Sequence, residues 1–138
     1  MLSNQELIDR FFEAYQAREM ETLEALMHEE ITWSFKGNHP LAGVRKGIRE
    51  VVAFFDAMNK IMEQSDPKVE KLIICEDGKH IIECQHVRTN RADGNNIDHH
   101  VCVLWTFTDG MIFSGMHFFA DPAAADKFFT AVTEIKAF

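Results

Sequence analysis

The period of the hydrophobic pattern changes at Pro67, and this change constrains the fold more than any other feature of the chain. Before it, apolar residues recur three and four apart: Leu7, Ile8, Phe11, Phe12 and Tyr15, then Ile48, Val51, Val52, Phe55, Met58 and Met62. That spacing puts a stripe along one face of a helix. After Pro67 the period moves towards two, the repeat of a strand whose side chains point to alternate faces. Helices first and a meander of strands later is an α+β pattern.

Local signals set the elements. Ser3 with Glu6 forms a capping box, so a first helix is expected from about Asn4 to Ala17. Leu23, Leu26 and Met27 mark a short second helix, and Ile31 to Phe35 reads as a strand. Gly37, Pro40, Gly43 and Gly47 punctuate a loop before the third helix. Val69 to Cys75 and His80 to Asn90 are expected strands joined near Asp77-Gly78, and His99 to Thr108 pairs with Ile112 to Phe119 across Asp109-Gly110. A last helix spans Asp121 to Val132, with Asp121 as N-cap and Pro122 at its first position. With 138 residues and no linker, repeat or low-complexity stretch, a single domain over residues 1–138 is expected.

Charge and cysteine content remove several functions. The formal net charge is −8, and most of it comes from the acids before Ile31, which read as a solvated helix face. No Lys or Arg lies between Ala92 and Asp126, so the strands lack a basic stripe to neutralise phosphates. Neither nucleic acid nor a membrane is an expected partner. The longest stretch free of Asp, Glu, Lys and Arg runs from Gly110 to Ala120, far short of the roughly 18 apolar residues of a membrane helix. Met1 to Arg10 lacks the pattern of a signal peptide, and a cytoplasmic location is expected. Cys75, Cys84 and Cys102 match no metal or redox spacing and read as buried free thiols in strands.

The element order, with Trp33-Ser34-Phe35, the loop from Gly37 to Gly43, and Gly47 opening the third helix, resembles the SnoaL-like polyketide cyclase family of the nuclear transport factor 2-like superfamily. Asp109-Gly110-Met111-Ile112 and Asp121-Pro122-Ala123 are similar to that family's last hairpin and the start of its final segment. The resemblance implies a curved antiparallel sheet wrapped around the N-terminal helices, a cystatin-like α+β barrel leaving a conical pocket. It also implies a homodimer packed through the outer sheet face. Ketosteroid isomerase, a related enzyme, uses an aspartate base with a tyrosine and a protonated aspartic acid. Matched by pattern, those roles fall near Phe11, Phe35 and Val103, none of which can ionise or donate from its side chain. The isomerase mechanism is therefore not inherited, and the three positions become candidate substrate contacts.

Seven histidines remain to supply the chemistry. If the turn at Thr108-Asp109-Gly110 has three residues, Val101 lies opposite His117 and His99 is its diagonal neighbour. A two-residue turn would send His117 to the other face. In the preceding strand, Ile82, Cys84, His86 and Arg88 are taken as the inward set because it begins apolar. The expected site thus contains His117 as proton-transfer group, His99 as its orienting partner, and His86 and Arg88 as substrate contacts. Trp33, Trp105 and Phe119 complete the lining, with Asp98 of outward parity at the strand start. A metal held by His86, His99 and His117 lacks a supporting carboxylate or helical His pair, so no metal or cofactor is expected. The function expected is a pocket for an apolar carbonyl compound, doing acid/base work of the isomerase, cyclase or dehydratase type. A non-catalytic ligand-binding or structural dimeric domain is the alternative.

Overall fold

A computed structural model describes the backbone of residues 1–136 and the side chains of 1–133. Helix α1 spans Asn4–Gln16, α2 Met20–Leu26, α3 Ile48–Glu63 and α4 Pro122–Lys136. Strands are β1 (Met27–Phe35), β2 (Gly43–Lys46), β3 (Lys68–Glu76), β4 (His80–Arg88), β5 (Asp98–Thr108) and β6 (Met111–Phe119). The Ser3–Glu6 capping box forms in both directions, and the Asp121 carboxylate accepts from the Ala124 backbone at 3.1 Å as expected of an N-cap.

The strands make one curved, unclosed sheet in the order β2-β1-β6-β5-β4-β3. It is mixed rather than wholly antiparallel, because β1 runs parallel to β6. This contact brings the N-terminal strand beside the C-terminal hairpin and carries Trp33 opposite Gly115. Part of the expected loop also pairs: Gly43–Lys46 adds an antiparallel edge to β1.

The concave face holds the core. Phe35, Phe54, Phe128 and Phe129 are essentially inaccessible, each burying enough apolar surface to contribute roughly 2–3 kcal/mol. Helix α3 serves two surfaces: Val51, Val52, Phe54 and Ile61 enter the core, whereas Phe55, Met58 and Met62 turn towards a cavity. All nine residues of strand β3, at the edge of the sheet, are exposed. The cone is therefore open along that edge.

The outer face is apolar over β3, β4 and β6, where Ile73, Ile82 and Phe118 are exposed. Cys84 and Cys102 face each other across β4 and β5 there, with sulfurs 2.9 Å apart, while Cys75 is exposed on the edge strand rather than buried.

Candidate functional site

The hairpin from β5 to β6 fixes the site. Asp109 and Gly110 both have positive φ (54° and 72°), giving a two-residue turn in which Thr108 pairs with Met111. By parity alone this turn would turn His117 outward. A bulge prevents it: Phe107 opposes Ile112 and Thr106 opposes Ser114, so Phe113 is the inserted residue and the alternation is restored beyond it. His117 faces inward opposite Val103, two positions from the expected partner Val101.

Three strands then place a transverse row of inward side chains, Glu83, Val103 and His117, with Phe35 next on β1. The adjoining row is Ile81, Trp105, Gly115 and Trp33. The inward set of β4 is thus Ile81, Glu83, Gln85 and Val87, the opposite of the sequence expectation. His86 and Arg88 point to the outer face, where the His86 ring meets the Asp98 carboxylate and Arg88 Nε lies 3.6 Å from it. Arg88 is half exposed and holds nothing inside the cone.

A cavity of about 990 Å³ opens between α1, α3 and the β3–β5 end of the sheet. This is at the upper end of the size of small-molecule sites. Its floor and walls are aromatic: Trp33, Trp105, Phe12, Phe55 and Tyr15, with Val103 between them. Trp33 and Trp105 meet edge to face at 5.0 Å. Polar groups enter the floor at His117, Glu83 and Gln85, and stand around the rim, among them Arg18, Asp56 and Lys71.

His117 and Glu83 are each held by an indole. Trp33 Nε1 donates to His117 Nδ1 at 3.1 Å. Because an indole N–H can only donate, Nδ1 carries the lone pair and the proton of the neutral ring sits on Nε2. Burial alone pushes the imidazole down to about 4, so the ring is neutral near pH 7. Trp105 Nε1 donates to Glu83 Oε1 at 2.8 Å, and Lys71 Nζ lies 3.7 Å from Oε2. Glu83 is only 5% exposed. Gly115 makes the Trp33 placement feasible: a Cβ there would lie 2.1 Å from Trp33 Cζ3.

At the rim, the Tyr15 hydroxyl donates to Asp56 at 2.7 Å, and Arg18 donates to the same oxygen at 2.8 Å. The Arg18 guanidinium holds Asp56 below the ordinary carboxylate range. Burial, then the hydrogen bond to Asp56, pushes Tyr15 up to about 12.

Of the residues singled out from sequence, His117, Trp33, Trp105 and Val103 line the cavity. Phe11, Phe35 and Phe119 form the wall behind it: Phe11 packs on Trp105 at 6.1 Å, and Phe35 and Phe119 pack on His117 at 5.0 and 6.2 Å. His99 shares the inward face but sits beyond Phe119, 5.7 Å from that ring, with its Nε2 buried and without a partner among the described residues. The orienting position expected for His99 is taken by Trp33. His86, His99 and His117 do not converge, and among the described residues no three His, Cys, Asp or Glu side chains form a metal cluster.

Glu83 was missed, although two signals pointed to it. The set Ile81, Glu83, Gln85, Val87 is apolar at both ends, and two core tryptophans each require an acceptor for the indole N–H.

A family model for the SnoaL-like domain matches residues 8–115. The uncharacterized protein Rv0034 of Mycobacterium tuberculosis is 29% identical over 124 residues, covering 89% of this chain and 93% of that protein. Among solved structures, Bal32a from a soil-derived mobile gene cassette superposes with a TM-score of 0.74 at 25% identity, covering 91% of this chain and 95% of its own. A candidate SnoaL-like polyketide cyclase from Jannaschia sp. CCS1 superposes with a TM-score of 0.66 at 17% identity, covering 93% and 92%, a likeness of fold. With the cone, the cavity and the match over most of its length, the chain belongs to the SnoaL-like domain family.

Proposed function

We propose that this protein is an acid/base enzyme of the isomerase or cyclase type acting on a flat, apolar carbonyl compound, with His117 as the group that moves or offers a proton. One observation carries the reading: His117 lines the cavity as a neutral imidazole whose Nδ1 is occupied by Trp33, leaving the proton on Nε2 for a substrate oxygen. A neutral imidazole can donate a hydrogen bond to a carbonyl and strengthen it as charge develops there, without the cost of holding a buried cation. The aromatic walls suit a ring system that stacks edge or face on the indoles. Membership of the SnoaL-like family and the candidate cyclase among the fold neighbours support the same class. The exposed apolar outer face, with Ile73, Ile82 and Phe118, supports a homodimer of this chain packed sheet to sheet.

The test uses 2-tetralone, a flat bicyclic ketone with acidic C–H bonds beside the carbonyl. Binding is read by saturation-transfer NMR and proton exchange at C1 by loss of its signal in D₂O. The wild-type protein is expected to bind the ketone and accelerate exchange over buffer, and His117→Gln is expected to lose about 10²-fold or more while still binding. Absence of binding, or an unchanged rate in His117→Gln, refutes the reading.

A further inference from the structure

We propose that Glu83 is a second catalytic residue, the general base that works opposite His117, and that the substrate is an enolisable carbonyl compound that presents the acidic C–H beside its carbonyl to Glu83 and the carbonyl oxygen to His117. The inference rests on the cavity and the His117 role argued above, and adds the group that removes the proton.

Placement comes first. Glu83 and His117 flank Val103 in one row of the sheet, each in register with it. They are two strands apart, about 9.5 Å at the backbone, with both side chains on the concave face. A small side chain, Val103, stands between two polar groups, and a single flat ring above it can present one edge to each.

The surroundings of Glu83 differ from those of a carboxylate kept for structure. An ionised carboxyl group offers about four acceptor positions, and burial is costly unless they are filled. Glu83 is 5% exposed, yet the described residues supply it with one short hydrogen bond, from Trp105, and one loose contact to Lys71, whose own side chain is 61% exposed. Oε1 is fixed by the indole, and Oε2 takes no hydrogen bond from the described residues, in a side chain that lines the cavity. This matches the way His117 is held, one atom tied by a tryptophan and the other free. Two floor groups of different type, each oriented by an indole in the neighbouring row, form an acceptor and a donor for the same molecule.

The step balances without a co-reactant. The Glu83 carboxylate takes a proton from the carbon beside the carbonyl. The electron pair of that C–H bond becomes the C=C bond of the enolate, and the carbonyl π pair moves to oxygen, where the His117 Nε2–H stabilises it. When the Glu83 carboxylic acid trades that proton for a solvent deuteron before returning it to the same carbon the result is exchange, and return of the proton to a conjugated carbon gives isomerisation.

The same 2-tetralone exchange separates the two residues. Glu83→Gln keeps the shape and an acceptor for Trp105 but cannot take a proton, and it is expected to lower the exchange rate by roughly 10²- to 10⁴-fold with ketone binding retained. In Glu83→Ala, added formate is expected to restore a substantial part of the rate by occupying the vacated position, a recovery that a purely structural role would not produce. A Glu83→Gln rate within threefold of wild type overturns the inference, as does a loss in Glu83→Ala that formate leaves unchanged. If His117→Gln loses activity and Glu83→Gln does not, the proposed function stands and Glu83 falls. If the wild-type protein neither binds nor exchanges the ketone, both fall.

Discussion

Acidification probes the burial of His117 through folding stability, with no need for a substrate. In an unfolded chain the imidazole titrates near 6.5, whereas burial holds the folded group down to about 4. Between those values the unfolded chain binds a proton that the folded chain refuses, so stability present above about pH 6.5 is lost as the pH falls towards 4. At 1.36 kcal/mol per unit the full loss from this one group is about 3 kcal/mol. Roughly 1 kcal/mol of it is gone by pH 5.5 and between 2 and 3 kcal/mol by pH 4.5. His39 and His99 are pushed down by burial in the same direction, and Asp56 and Asp98 are held low by Arg18 and His86, so several groups contribute to the raw acid limb. His117→Gln isolates one of them, because the amide oxygen can still accept from Trp33 and does not titrate. Urea unfolding followed by circular dichroism at pH 7.5, 6.5, 5.5 and 4.5 gives the two curves. Wild type should be the more stable at pH 7.5, and its advantage should shrink by about 2 kcal/mol or more by pH 4.5. A gap that stays constant within about 0.5 kcal/mol would show that the ring is not kept neutral by burial, and the argument for its tautomer and role would fail with it.

Two further outcomes follow from contacts around the cavity. Gly115→Ala forces the Trp33 ring away from the β6 backbone, since the added carbon would overlap three ring atoms at 2.1 to 2.3 Å. It should cost about 1–3 kcal/mol in chemical denaturation, break the Trp33–His117 hydrogen bond and shift the His117 resonances, whereas an unperturbed His117 spectrum would contradict the geometry. Tyr15, pushed up to about 12, should not ionise below pH 11 in a 295 nm absorbance titration, and Asp56→Asn should bring that ionisation down; a transition near pH 10 in the wild type would refute the contact.

The sequence alone determined the type and order of the main elements, because those depend on signals only a few residues apart. The capping box at Ser3 and Glu6, the N-cap at Asp121 and the change of period at Pro67 each act locally, and each appears in the structure where expected. The inward parity of Val101, Val103, Trp105 and Phe107 was legible for the same reason: the bulk of the two faces of β5 differs.

Tertiary structure decided what lies across from what. On β4 both alternating sets begin with isoleucine and carry polar residues, so only a weak local signal separates them, and pairing with β5 decides the matter by sending Glu83 in and His86 and Arg88 out. The bulge at Phe113 and the register shift between Lys71 and Ile73 arise from strand partners that no local window contains. The parallel contact of β1 with β6 joins segments some 80 residues apart and is what delivers the Trp33 indole to His117. A side chain's type is written in the chain. Which face it takes and what bonds it depend on long-range register, where one inserted residue inverts every neighbour beyond it.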